Sequence, residues 1–325
     1  MQAVRLHGYG GLDELVFEEA PDPVVPDGWV LVELRAAALN WHDCLVRQGR
    51  YPAPLPLVPG ADGAGVRRDT GEEVVILPSL WWGDGQEAPG TRFEILGDRV
   101  DGTYAELVAV PEENVFPKPR ALSWAEAAAL PLAGVTAHRA LFGRGGLRAG
   151  ERVLILGAGG GVATFLVAFA DRAGARVTVT SSSQAGIDQA VALGAAGGVL
   201  YTDEGWPQAA RDEAGGEGFD LVVDPVGAWA DGIATLRPGG RLVSFGANAA
   251  EHADVSIRPF YFGQYSLLGT TMGSPRDFRA MLGLVDRMPG WRPVVGTELP
   301  LDRAADAQAL LEGGGHRGKV VLTTG

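Results

Sequence analysis

The stretch that most constrains this chain is residues 153–163. An apolar run, Val153-Leu154-Ile155-Leu156, breaks into Gly157-Ala158-Gly159-Gly160-Gly161 and resumes at Val162-Ala163 with a helical pattern. A turn almost free of side chains lets backbone come close to a bulky anion. The helix that follows aims its unpaired N–H groups and positive dipole end at the same point. The flanking sequence alternates: strand 152–156, helix 162–173, strand 176–180, helix 185–193, then strands at 219–224 and 240–246. That alternation specifies a parallel sheet with right-handed crossovers. A glycine turn between strand and helix in such a unit predicts a dinucleotide pyrophosphate site.

The end of the second strand selects the cofactor. A dinucleotide fold that binds NADH commonly places a carboxylate there for the ribose 2′-hydroxyl. This chain has Thr180-Ser181-Ser182-Ser183 instead. Three serine hydroxyls can donate to a 2′-phosphate that a carboxylate would repel, so Ser181, Ser182 and Ser183 point to NADPH. The same serines can also cap the helix starting near Ala185. Two later strands end in Asp224-Pro225-Val226-Gly227 and Phe245-Gly246-Ala247, where doubly wound sheets bind ligands. Asp224, Val226, Phe245, Gly246 and Ala247 are therefore candidate cofactor contacts.

The remainder reads differently. The first 120 residues are rich in Pro and Gly. Their short alternating segments include residues 29–35, where Glu33 and Arg35 share one side, with further strands at 3–6, 73–77 and 104–110. Ser123 with Glu126 marks a helix start. Helices near 277–287 and 304–312 precede a last strand at 319–323. The expected organisation is a β-rich domain over 1–121, a nucleotide-binding domain over 122–258, and a return over 259–325 that completes both.

Composition narrows the function. Lys plus Arg number 27 against 40 Asp plus Glu, a net charge of −13, with no dense basic cluster, which argues against nucleic acid as a partner. No uncharged apolar run reaches membrane-spanning length, and the start MQAVRLHGYG lacks a signal-peptide pattern. The single cysteine, Cys44, forbids an internal disulfide and any multi-cysteine zinc site. A cytoplasmic protein is expected.

Several segments in order resemble the medium-chain dehydrogenase/reductase superfamily: residues 1–11 and 28–40, Pro59-Gly60-Ala61-Asp62-Gly63-Ala64-Gly65, residues 101–106 and 131–137, the glycine turn, and Gly318-Lys319-Val320-Val321-Leu322. The likeness is greatest to its zinc-free quinone oxidoreductase branch and the related zinc-type alcohol dehydrogenase-like proteins. It implies an α/β chain with a GroES-like catalytic domain and a Rossmann doubly wound parallel sheet. Aligned on that branch, Ala158, Gly160, Gly161 and Val162 fall at the phosphate turn. Zinc alcohol dehydrogenases have Cys at the place of Asn40 and His at the place of Ala61; residues 79–93, where a structural zinc lobe would lie, lack cysteine. No zinc is expected.

By the same resemblance Asn40 lies near the nicotinamide, although a turn-capping role is open to it. Tyr51 lines the acceptor pocket, where it can donate to an oxyanion or simply pack. Thr136 and Lys319 reach the cofactor. A second tyrosine of that branch is replaced by Leu45. Asp43 reads as a helix N-terminal carboxylate, His42 as a local hydrogen-bonding group, and Cys44 as an inert buried thiol. Without a Lewis acid, hydride transfer favours electron-poor acceptors. The leading expectation is an NADPH-dependent reductase of quinones or α,β-unsaturated carbonyls. It would act as a homodimer joined through residues 266–270. The alternatives are an alcohol or aldehyde dehydrogenase-like activity, or a dinucleotide-binding structural or regulatory protein.

Overall fold

A computed structural model describes residues 1–314 and 316–325. The chain divides into two compact units, one of residues 1–135 with 273–325 and one of residues 136–272.

The first unit is built on a long strand, Trp29–Ala38, whose alternate side chains are buried until the run Ala36-Ala37-Ala38, where every residue is. Three neighbours crowd that strand: Asp62–Arg67 and Leu107–Pro111 antiparallel to it, and the C-terminal Lys319–Thr323, also antiparallel. Small side chains suit such crowding. At Gly65 a Cβ would lie 2.1 Å from the Glu33 carbonyl oxygen, so only glycine fits. Val295–Pro300, Glu73–Ile76 and Val115–Pro117 complete the sheet of seven strands. One face packs Val30, Val32, Leu34, Val74 and Ile76; Ala37, Leu39, Val46, Leu57 and Tyr104 belong to a separate core.

The second unit is a six-stranded parallel sheet ordered Gly197–Leu200, Arg176–Ser181, Arg152–Ile155, Phe219–Asp224, Leu236–Ser244, Ser266–Gly269. In chain order that is 3-2-1-4-5-6, the doubly wound arrangement with its crevice where the order reverses. Val153, Leu154 and Ile155 are fully buried, as expected for strands covered on both faces. The helix Gly161–Arg172 buries residues 163–170 in an unbroken run. Truncating a buried leucine such as Leu154 costs roughly 2–5 kcal/mol in a core of this kind.

The helix that Ser123 and Glu126 start is short, Trp124–Ala128, and a separate helix Pro131–His138 follows, because Pro131 has no N–H to continue the first. The strand expected at 240–246 runs Leu236–Ser244, with a register irregularity against Phe219–Leu221. The strand Gly197–Leu200, half glycine, and the helices Trp206–Glu213 and Trp229–Thr235 were not expected from the sequence and emerge in the structure.

Candidate active site

In the second unit, four chain segments meet at the C-terminal ends of adjacent parallel strands. The glycine turn is pinned to its neighbour. Gly157, at φ 76°, donates its N–H to Thr180 Oγ1 at 3.0 Å, and Ala158 donates to the Thr180 carbonyl at 2.8 Å. Ala158 is buried beneath the turn, whereas Gly159 and Gly160 are exposed and Gly161 and Val162 half-buried. A Cβ on Gly159 would meet no atom within 4 Å. The helix begins immediately, with Gly160 as its N-cap. Open backbone at a helix N-terminus is what a pyrophosphate requires.

Ser183 caps the helix Gln184–Ala192, its Oγ accepting from Gly186 N at 3.3 Å. Ser181 is buried, its Oγ accepting from Ser183 N; Ser182 and Ser183 are exposed. The capping role is therefore present, and each hydroxyl keeps a proton to donate. Asp224 Oδ1 accepts from the N–H groups of Val226 and Gly227, both at 2.8 Å. Its buried Oδ2 has no partner among the described residues, and burial raises its carboxyl above the usual range. Val226 reaches toward Gly157, where a Cβ would lie 3.3 Å from Val226 Cγ1. Gly246 is held so tightly on the Pro225 carbonyl that a Cβ would lie 2.0 Å from its oxygen. Phe245 is half-buried and Ala247 exposed. Thr136 is buried, and its Oγ1 also lacks a partner among the described residues. These groups fit a dinucleotide: exposed glycine backbone, close-packed strand ends and polar atoms left without protein partners.

In the first unit, Asn40 precedes the helix Trp41–Arg47 and lies in a buried polar cluster. Lys319 Nζ donates to Asn40 Oδ1 at 2.6 Å and to Asp62 Oδ2 at 3.0 Å. Asn40 Nδ2 donates to the same Asp62 oxygen at 3.0 Å, and Asp62 Oδ1 accepts from Leu132 N at 2.7 Å. An ammonium only donates and a carboxylate only accepts, so the Asn40 amide has one possible orientation. Lys319, only 3% exposed, spends two of its three protons here. Alongside, Asp43 Oδ2 accepts from Asn40 N and from Tyr104 Oη, both at 2.9 Å. Asp43 is completely buried, and loss of hydration raises its carboxyl to about 6.

Tyr51 is 43% exposed, and its ring packs on the His42 imidazole with centroids 4.5 Å apart. His42 Nε2 lies 3.3 Å from Asp98 Oδ2. Cys44 is buried, which raises its thiol to about 12. The expected Asn40 and Lys319 thus touch each other, while Tyr51 joins a separate group with His42. Asp62 and Tyr104 were not singled out by sequence. Asp62 had a signal, as an acidic residue between small ones in Pro59–Gly65; Tyr104 had none beyond its place in an alternating strand.

Family models agree with this architecture. One for an alcohol dehydrogenase GroES-like domain matches residues 26–120, and one for a zinc-binding dehydrogenase matches residues 161–287. A zinc-type alcohol dehydrogenase-like protein of Schizosaccharomyces pombe is 34% identical over 335 residues, 96% of each chain. The quinone oxidoreductase of Mus musculus is 29% identical over 99% of this chain and 97% of its own. A crystal structure described as an NAD-dependent alcohol dehydrogenase is 39% identical and covers all of both chains, with a TM-score of 0.95.

The zinc that two of those descriptions imply does not fit the residues present. Asn40 Oδ1 already accepts from an ammonium, Ala61 offers no donor atom, and no cluster of three or more His, Cys, Asp or Glu among the described residues could hold a metal ion. The doubly wound sheet, the GroES-like unit and this full-length likeness make the chain a member of the medium-chain dehydrogenase/reductase superfamily, in its quinone oxidoreductase branch, and an oxidoreductase.

Proposed function

We propose that this chain is an NADPH-dependent reductase of quinones or α,β-unsaturated carbonyls that works without a metal. The observation that carries the reading is the buried ammonium of Lys319 against Asn40, the residue at the zinc-ligand position. A chain with its own cation there suits acceptors already electron-poor enough to take hydride without a Lewis acid. NADPH bound on the second unit supplies that hydride. Gly160, Gly161 and Val162 would face its pyrophosphate, with Ala158 beneath them. Ser182 and Ser183 would face the 2′-phosphate, supported by Ser181. Asp224, Val226, Phe245, Gly246, Ala247 and Thr136 would line the remainder. Lys319 fixes the Asn40 amide, and Tyr51 lines the acceptor's side. The absence of a carboxylate after Thr180 favours NADPH. No helix among the described residues is long and apolar enough to cross a membrane. With one buried cysteine, a reducing cytoplasm suits the chain, and a homodimer through Ser266–Gly269 suits its sheet edge.

Following cofactor absorbance with NADPH or NADH against a panel of quinones, enones and alcohols tests the reading. Oxidation of NADPH by quinones or enones, faster than that of NADH, is expected. Tight NADPH binding without turnover on any acceptor would instead favour a structural or regulatory role. The second reading, NAD-dependent alcohol oxidation, draws on the 39% identical structure so described and on Ser183 being used as a helix cap. Alcohol-dependent reduction of NAD would establish it.

A further inference from the structure

A buried carboxylate calls for a counter-charge, and Asp224 in the second unit receives none from its protein neighbours. We propose that Asp224 makes this site favour the oxidised, cationic nicotinamide cofactor over the reduced one; this deepens the reading above and rests on its cofactor-binding part.

Asp224 closes the strand Phe219–Asp224, whose six residues are all buried. The strand lies beside Arg152–Ile155, across the point where the sheet order reverses. Leu156 donates its N–H to the Val223 carbonyl at 3.0 Å, and Phe245 donates to the Asp224 carbonyl at 3.2 Å. Backbone on both sides therefore fixes the place of the carboxyl. A dinucleotide lies across such a crevice with one mononucleotide on each half of the sheet. The glycine turn and Ser181, Ser182 and Ser183 belong to one half, and Asp224 to the other. With the 2′-phosphate assigned to the serines, the nicotinamide falls to the half that carries Asp224.

The two carboxylate oxygens differ. Oδ1 accepts from Val226 N and Gly227 N, both at 2.8 Å, and so holds the turn that reaches toward Gly157. Oδ2 is buried and accepts from nothing among the described residues. The other acid of the strand, Asp220, sits at its far end with Arg237 and Arg152. The neighbouring strand ends, Ile155-Leu156 and Ser244-Phe245, are uncharged, and Asp231 on the helix Trp229–Thr235 is exposed. Holding the turn needs one oxygen and no charge, since an amide oxygen accepts the same two N–H groups. That role leaves the charge unexplained, and a buried charge is kept where something answers it.

Reduced nicotinamide is uncharged; once the electron pair of one C–H bond has passed with its hydrogen to the acceptor, which then takes a proton from water, the ring left behind is a cation. The Asp224 carboxylate stabilises that positive charge, fully formed in the oxidised cofactor and part-formed in the transition state. It acts on the donor's side of the reaction, whichever acceptor is used.

The test is a binding titration of the full chain with NADP+ and with NADPH at pH 8, without an acceptor. Asp224→Asn keeps an oxygen for Val226 N and Gly227 N and removes the charge. It is expected to bind NADP+ about tenfold more weakly than wild type, the scale of a charge pair inside a protein, and NADPH within about threefold. An equal loss for both forms would mark a turn-holding role alone and overturn the proposal, as would no loss for either. The wild-type preference should also shrink between pH 8 and pH 5. Burial raises the Asp224 carboxyl above its ordinary range, so its charge is lost as pH falls. The 2′-phosphate ionises alike in both forms and cancels from the ratio. If the variant fails to fold, a wild-type ratio that stays flat over that range overturns the proposal. A wild type that binds neither form removes the cofactor reading and this inference together. One that binds both yet oxidises NADPH with no acceptor fails the reductase reading alone, and the affinity ratio still decides this one.

Discussion

Asp43 shows how one residue ties the site to the stability of the fold. Lost hydration raises its carboxyl from an ordinary 3.8 to about 6, and the Asn40 N–H, His42, Tyr104 and Lys319 only partly oppose this. The unfolded chain gives up this proton at lower pH than the folded one. The contribution is therefore fully present below pH 3.8, and is lost as pH rises through about 6. Asp43→Asn retains an oxygen to accept from Asn40 N and Tyr104 Oη and has nothing to titrate. Urea unfolding at pH 4 and pH 7 should show the variant gaining roughly 2–3 kcal/mol on wild type over that interval, since tenfold in proton affinity is worth about 1.4 kcal/mol. Parallel pH dependences in the two proteins would disprove the assignment. Lys319, Asn40 and Asp62 form the other residue-scale unit. Their worth lies in orientation, because a buried ion pair seldom stabilises a fold beyond what apolar packing would.

At the scale of elements, the glycine turn separates fold from function. Gly246 and Gly65 are glycine because backbone oxygens occupy the space of a side chain. Gly159 has open space around it, so its bareness serves something other than packing. Gly160→Ala, whose Cβ would meet only the Gly157 carbonyl oxygen at 4.0 Å, should unfold at the same temperature as wild type, yet bind NADPH at least about tenfold more weakly in a fluorescence titration if its backbone faces the pyrophosphate as proposed. Equal affinity would show that the cofactor does not approach there. The same contrast explains what the sequence made legible. A short apolar strand that runs into a glycine turn, such as Arg152–Ile155, read directly, and Ser123 with Glu126 marked its helix start because capping is local chemistry. Gly197–Leu200 did not read, since its pairing with Arg176–Ser181 overrides a weak propensity. In the site, Asn40 and Lys319 were legible singly from the family pattern. Their contact, and the meeting of His42 with Asp98, depend on chain folding that no local pattern encodes.

For the whole molecule, the open side of the second unit's sheet stands out. Among the described residues Ser266–Gly269 pairs with Leu236–Ser244 alone and so ends the sheet with an unpaired edge. The helix just before it, Ile257–Phe262, leaves Ile257 78% and Phe262 70% exposed. Exposed apolar side chains beside a free edge suit the homodimer proposed above. Sedimentation should find a dimer, and Phe262→Glu combined with Ile257→Glu should yield monomers that keep the parallel sheet. A dimer that survives both charges would place the interface elsewhere.

The Lys319–Asn40 contact joins residues 279 positions apart, and the whole second unit is made between them. During synthesis the nucleotide-binding sheet emerges complete while the first unit still lacks Lys319–Thr323. Ala36-Ala37-Ala38 wait without their antiparallel neighbour, and Asp62 without its cation. Since domains form as units from the N-terminal end, the polar centre of this enzyme is closed only after the whole second unit has been made. A chain stalled or clipped just before Lys319 would carry a formed dinucleotide fold together with an open, acid-bearing first unit, and quality control could recognise it by that exposed seam.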